Sequence, residues 1–192
     1  MERKKYIFLI TLVFITTVLN GQNSLQIYDA YRISDMEKWK RIIDDMQNNP
    51  SKTDAFTLEL INFQYGYIAW CIENNNTKEA TKYLEMAREH LNSLEEKGYK
   101  PSDVYAYKAA FIGYDIAITP RKAPFIGKES LNNANSAIDT DPLNPFGYIQ
   151  LGNIMQFMPK VFGGSSEKAI EHYKKALELM DSDSPGKDWN LL

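Results

Sequence analysis

Small residues seven apart on an apolar helical stripe leave a chain few ways to fold, and here they recur. Between Ser166 and Met180 the apolar positions Ala169, Ile170, Tyr173, Ala176, Leu177 and Met180 fall three and four apart, which places them on one face of a helix. Lys and Glu fill the opposite face, with Glu171 four residues ahead of Lys175 in the stabilising order. Alanine at 169 and 176 keeps the stripe shallow, so a second helix can approach closely. That second helix is encoded upstream. Asn144-Pro145 is a start signal, an N-cap followed by proline at the first helical position. Gly152 supplies a flat point for packing, and Pro159 ends the helix. Ser165 or Ser166 caps the helix that follows. Residues 144–181 therefore read as two helices folded back on each other.

Alanines at 169 and 176, the large Tyr173 between them and Leu151-Gly152 in the preceding helix resemble the tetratricopeptide repeat (TPR), a helix pair of about 34 residues. The turn is longer here by about five residues than in that repeat and carries Phe162-Gly163-Gly164 after Pro159. In this it is similar to a subgroup of exported bacterial TPR-like proteins and, more distantly, to the TPR-type T components of TRAP transporters. The resemblance implies an all-α fold, a right-handed α-solenoid of about three helical hairpins.

The upstream chain carries degenerate copies, giving pairs at roughly 25–48, 54–98, 102–140 and 144–181. In the first, Ser34 and Glu37 form a possible capping box, with a break near Ile33. In the second, a long apolar helix from Asp54 to Glu73 meets the turn 74–77, with Thr77 as N-cap, and the stripe Ala80, Tyr83, Leu84, Ala87, Leu91, Leu94 runs on to Gly98. In the third, Pro101-Ser102 opens a helix to about Ile118, residues 119–127 form a two-proline loop, and a helix from about Glu129 carries Leu131, Ala134 and Ala137. Pro, Phe125 and Gly127 in that loop echo Pro159, Phe162 and Gly164. Trp189, Leu191 and Leu192 read as the opening of a terminal helix cut short, which would leave the last hairpin open for a partner or a second copy.

Residues 1–22 stand apart. Arg3, Lys4 and Lys5 precede a largely apolar run from Tyr6 to Leu19 and then a short polar stretch, the pattern of a cleaved secretory signal. The run is short for a bilayer span. No cysteine follows it, which excludes lipid attachment there. The expected location is the periplasm or the extracellular space. Removing the segment moves the formal charge from −3 to −5, and a mildly acidic surface argues against nucleic acid and against anionic membranes as partners. The single Cys71, among Ile68, Ala69, Trp70 and Ile72, reads as a small core residue.

Nothing in the sequence assembles a catalytic or metal site. His90 and His172 have no Cys, His, Asp or Glu at ligand spacing. Nucleophile elbow, phosphate loop and zinc-protease helix are absent. Asp139-Thr-Asp141 and Asp181-Ser-Asp183 lack the rest of a calcium loop. The expectation is a non-enzyme with no cofactor and no metal.

What remains is aromatic surplus, twelve tyrosines and nine phenylalanines. Tyr65, Tyr105, Tyr107, Tyr114 and Tyr148 fall on first helices of pairs. The TPR resemblance implies that these helices line a concave face, so these tyrosines are the candidate contacts for a partner. Phe125 and Phe162 either plug the hairpin tops or line one edge of a groove. The leading functional reading is a non-catalytic protein-interaction scaffold holding a segment of an envelope protein. The alternative is a transport accessory that binds a small apolar molecule between Tyr and Phe side chains.

Overall fold

The computed structural model of the protein describes residues 23–182. The expected signal segment, residues 1–22, and the terminal Trp189, Leu191 and Leu192 lie outside the described residues. Among the described residues there are eight α-helices and no strand: α1 (23–32), α2 (Met36–Gln47), α3 (Asp54–Glu73), α4 (Thr77–Glu96), α5 (Pro101–Ile118), α6 (Ala123–Thr140), α7 (Pro145–Phe157) and α8 (Ser166–Ser182). None of them is long and apolar enough to cross a membrane. The chain divides into two compact units, Met1–Phe63 and Gln64–Leu192.

In the first unit the expected break falls at residues 33–35, but Ser34 is not the cap. Ser34 takes a left-handed φ of 57°, which closes α1 and denies it the N-cap geometry. Asp35 caps α2 instead, its Oδ1 accepting from the Lys38 amide at 2.9 Å. The core holds Ile27, Ala30, Ile42, Ile43 and Met46. The Trp39 indole N–H donates to the Phe63 carbonyl at 3.1 Å, and its ring meets Tyr31 edge-on at 6.1 Å. A buried indole is thus satisfied as well as packed.

The second unit begins inside α3. The cap of α4 is Asn76 rather than Thr77: the Asn76 side chain accepts from the Glu79 amide, while Asn75 turns the chain with a left-handed φ of 58°. Tyr67 and Tyr83 pack edge-to-face at 5.0 Å, and Cys71 is buried as the sequence suggests. After Glu96 the chain closes α4 through Gly98 at φ 63°, with the Tyr99 amide donating to the Leu94 carbonyl at 3.0 Å.

The stretch 119–127 is not a loop. A 3₁₀ turn at Pro120–Lys122 leads straight into α6, which starts at Ala123 with Pro124 in its first turn. Proline is tolerated there because the first helical amides have no acceptor within the helix. Phe125 and Gly127 are therefore helical, and the likeness to the second turn holds in composition only.

Two serine hydroxyls fasten α5 to α6. Ser102 donates to the Ala137 carbonyl at 2.8 Å and Ser130 to the Ala109 carbonyl at 2.9 Å. Alanines 109, 134 and 137 allow the backbones this close, and Leu151 joins Ala109 and Ala134 in one core with Leu131, Ile138 and Ile154 against it. Asn144 caps α7, accepting from the Phe146 amide, and its amide group donates to Ser102 Oγ and Asp103 Oδ1 at 2.9 and 2.8 Å. The start of α7 is thereby tied to the start of α5.

Helices α7 and α8 pack face to face, with Gly152 against the Tyr173 ring and Ala169 and Ala176 buried. The turn between them carries a 3₁₀ segment, Lys160–Phe162. Gly163 has φ of 103°, and a Cβ on Gly164 would fall 1.8 Å from the Met158 carbonyl oxygen. Both glycines are required by the reversal. Phe162 is not: it is exposed, as is Phe125. The reading in which these phenylalanines plug the hairpin tops is corrected accordingly. The helical turns close through backbone bonds such as Ser165 N–H to the Met155 carbonyl at 2.9 Å and leave the rings outside.

Candidate functional site: an aromatic face on α3, α5 and α7

Helix α5 places Tyr107, Phe111 and Tyr114 on one side, at the i, i+4, i+7 spacing. Helix α3 contributes Tyr65 to the same place, and α7 contributes Phe146 and, one turn on, Gln150. Tyr65 stacks on Tyr114 at 5.3 Å and 21°, and meets Tyr107 and Phe146 edge-on at 6.0 and 5.4 Å. Tyr107 and Phe146 close the group at 4.6 Å. The angles are those at which ring quadrupoles attract. Tyr107 and Phe146 are buried and form the floor, whereas Tyr65 and Tyr114 keep an edge in solvent.

The polar atoms of the face are arranged to stay neutral. Tyr114 Oη donates to the Tyr65 carbonyl at 3.1 Å. Burial holds the Tyr114 hydroxyl well above the ordinary phenol value, with the neighbouring Tyr65 adding to the effect. Burial likewise raises Tyr65, opposed in part by hydrogen bonding from Gln150. Gln150 is 3% exposed, with its side-chain amide against the Tyr65 hydroxyl. Tyr173 of α8 lies near enough for Tyr65 to contribute to its raised pKa, after burial, and Tyr173 Oη donates to Asn153 Oδ1 at 2.8 Å.

Of the seven residues singled out from sequence, three come together here: Tyr65, Tyr107 and Tyr114. Tyr105 lies two residues before Tyr107, about 200° away around the helix, and is half-buried on another side. Tyr148 stands in the same relation to Phe146 and turns back to donate to the Pro142 carbonyl at 3.3 Å. Phe125 and Phe162 sit at helix ends, away from this face. Sequence reasoning missed Phe146 and Gln150, although their spacing of four after the Asn144-Pro145 start would have put them on one side of α7. Among the described residues no three His, Cys, Asp or Glu side chains gather as a metal site.

No protein-family model matches the sequence, and no curated protein matches it. Among solved structures, the fold is similar to that of the HusA haemophore from Porphyromonas gingivalis, with a TM-score of 0.71 over 88% of this chain and 84% of that one. Identity is 16%, so the likeness is one of all-helical fold.

Proposed function

We propose that the protein is an exported, non-catalytic binding protein that takes a large planar apolar ligand of the tetrapyrrole class on the aromatic face of α3, α5 and α7. The observation that carries this reading is the stacked pair Tyr65–Tyr114 on a floor of Tyr107 and Phe146. Flat rings with a polar edge suit a flat conjugated ligand, which they contact with little loss of side-chain entropy. A haemophore of similar fold supports the ligand class, and the signal-like segment 1–22 supports export. This promotes the small-molecule alternative over the envelope-protein scaffold, for which no partner-shaped feature of the aromatic face speaks. The right-handed TPR-like solenoid belongs to the same proposal: α5 packs on α4, α6 and α7 in the manner of stacked hairpins.

The binding mode follows from the pKa directions. A phenol held above its ordinary value stays protonated at neutral pH and is a poor iron ligand. Binding here therefore rests on stacking and burial. The test is titration with haemin, followed by its Soret band, for the native chain and for Tyr65→Leu/Tyr114→Leu. Loss of two ring contacts weakens binding by about 30-fold, each ring supplying about 1 kcal/mol. Equal affinities for the two chains contradict the assignment of this face.

A further inference from the structure

We propose that the end of the second unit formed by the α5–α6 and α7–α8 turns docks on an anionic lipid surface. This goes beyond the ligand reading and does not depend on it. Helices α6 and α7 pack together and are joined by only residues 141–144, so they run antiparallel. The start of α6 and the end of α7 therefore come to the same end. Thirteen residues of α7 rise about 20 Å, which brings Phe157 level with the second turn of α6.

Four large apolar side chains stand exposed at that end: Phe125 at 85%, Phe157 at 82%, Val161 at 82% and Phe162 at 72%. Two of them belong to the first turn of α6 and the last residue of α7, and two to the 3₁₀ segment between α7 and α8. None serves the fold, since the glycines and backbone bonds make the reversal without them. Clustered apolar exposure of this kind marks an interaction site.

The charge around them names the partner. Arg121, Lys122, Lys128, Lys160 and Lys168 are exposed in these two segments against the acids Glu129 and Glu167. The chain as a whole is negative, at −3, so this end is a basic island on an acidic protein. Lys122 reaches Asp115 at 3.1 Å, but that carboxylate also takes Arg88, and one acid shared by two cations does not neutralise the end. The apolar groups stand exposed at two helix ends and on the 3₁₀ segment, a placement suited to shallow insertion, by roughly 5–10 Å, at the headgroup boundary. Lysine stems lie along such a boundary with their ammonium groups among anionic headgroups.

The test is co-sedimentation of the chain, as processed by an exporting host, with phosphatidylcholine vesicles and with vesicles in which phosphatidylglycerol makes up about a third of the lipid. Native chain, Phe125→Ser/Phe162→Ser and Lys128→Gln/Lys160→Gln are compared, each checked by circular dichroism for retained helix. Any lipid affinity of the N-terminal segment is common to all three and cannot create a difference. The expected result is binding to the anionic vesicles about tenfold or more above the neutral ones, lost at about 0.5 M salt and reduced about tenfold in each variant. Equal binding by native chain and variants overturns the proposal, as does equal binding to both vesicle types. Sedimentation velocity provides a second arm: a dimer that disappears in the Phe125→Ser/Phe162→Ser chain, without vesicle binding, identifies a second copy as the occupant and overturns it too.

Discussion

The Tyr173 ring occupies the space that a side chain at position 152 would need: a Cβ on Gly152 would lie 2.4 Å from its Cε1 and 2.6 Å from its Cδ1. The ring cannot simply swing away, because its hydroxyl is held by Asn153 at 2.8 Å. Gly152→Ala forces α7 and α8 apart or breaks that bond, and is expected to cost about 2 kcal/mol. Tyr173→Ala removes the obstacle, so the double variant should be more stable than the sum of the single losses requires. Denaturant midpoints in a double-mutant cycle measure this coupling, and strict additivity contradicts the contact.

Asn144 has two jobs that one substitution separates. Its side chain caps α7 and its amide reaches Ser102 and Asp103 across to α5. Asn144→Asp retains the cap but loses the donor and sets a second carboxylate against Asp103. Asn144→Ala loses both and should cost about 2 kcal/mol. If the inter-helix bonds carry a large share, the Asp variant loses at least half as much, as read by thermal unfolding. A silent Asn144→Asp means that the cap alone matters.

Glu59, half-buried on α3, has its carboxyl pushed up from 4.5 to about 7 by burial. The folded state thus holds this proton more tightly than the unfolded state does. Its contribution is full below about pH 4.5 and is lost as pH rises from there to about 7. Glu59→Gln removes the penalty of an ionised carboxylate, and should gain about 1 kcal/mol at pH 8 and little at pH 4.5. That gain is well below the full worth of the shift because the group still touches water. Stability measured at both values checks it, and a gain independent of pH excludes Glu59 as the source.

The phenols of the aromatic face should titrate late. Tyr65 and Tyr114 are raised by burial, so they favour the neutral folded state, and that contribution is lost as pH rises past the ordinary tyrosine range, about 10. Spectrophotometric titration should find fewer ionised tyrosines at about pH 10.5 in the native chain than in the denatured one. Tyr114→Phe should remove a late-titrating group without changing the early ones.

Much of this arrangement was written in local spacing. The stripe Ala169, Tyr173, Ala176 fixes α8, and Asn144-Pro145 fixes the start of α7, because both depend on neighbours within a turn or two. Caps slipped by one residue at Asp35 and Asn76, where adjacent polar residues compete and the left-handed Ser34 and Asn75 decide the outcome. The start of α6 was missed because Pro124 reads equally as loop or as first helical turn. Tyr107, Phe111 and Tyr114 share a visible i, i+4, i+7 pattern, whereas Tyr105 and Tyr148 share with them only residue type and a place on a first helix, and the helical period turns both to other sides. The convergence of Tyr65, Phe146 and Gln150 on that pattern comes from packing between helices, with Asn144 tying α7 to α5 and Tyr114 bonded to the Tyr65 carbonyl, which no single segment encodes.

The measurement that bears most directly on the proposed function is the affinity of the native chain for haemin set beside that for metal-free protoporphyrin. With neutral phenols and no axial ligand, stacking on Tyr65 and Tyr114 should hold both about equally, within roughly threefold. Tight haemin binding with a metal-free affinity lower by about a hundredfold means that iron is ligated, and contradicts the account. Binding of neither removes the tetrapyrrole reading altogether.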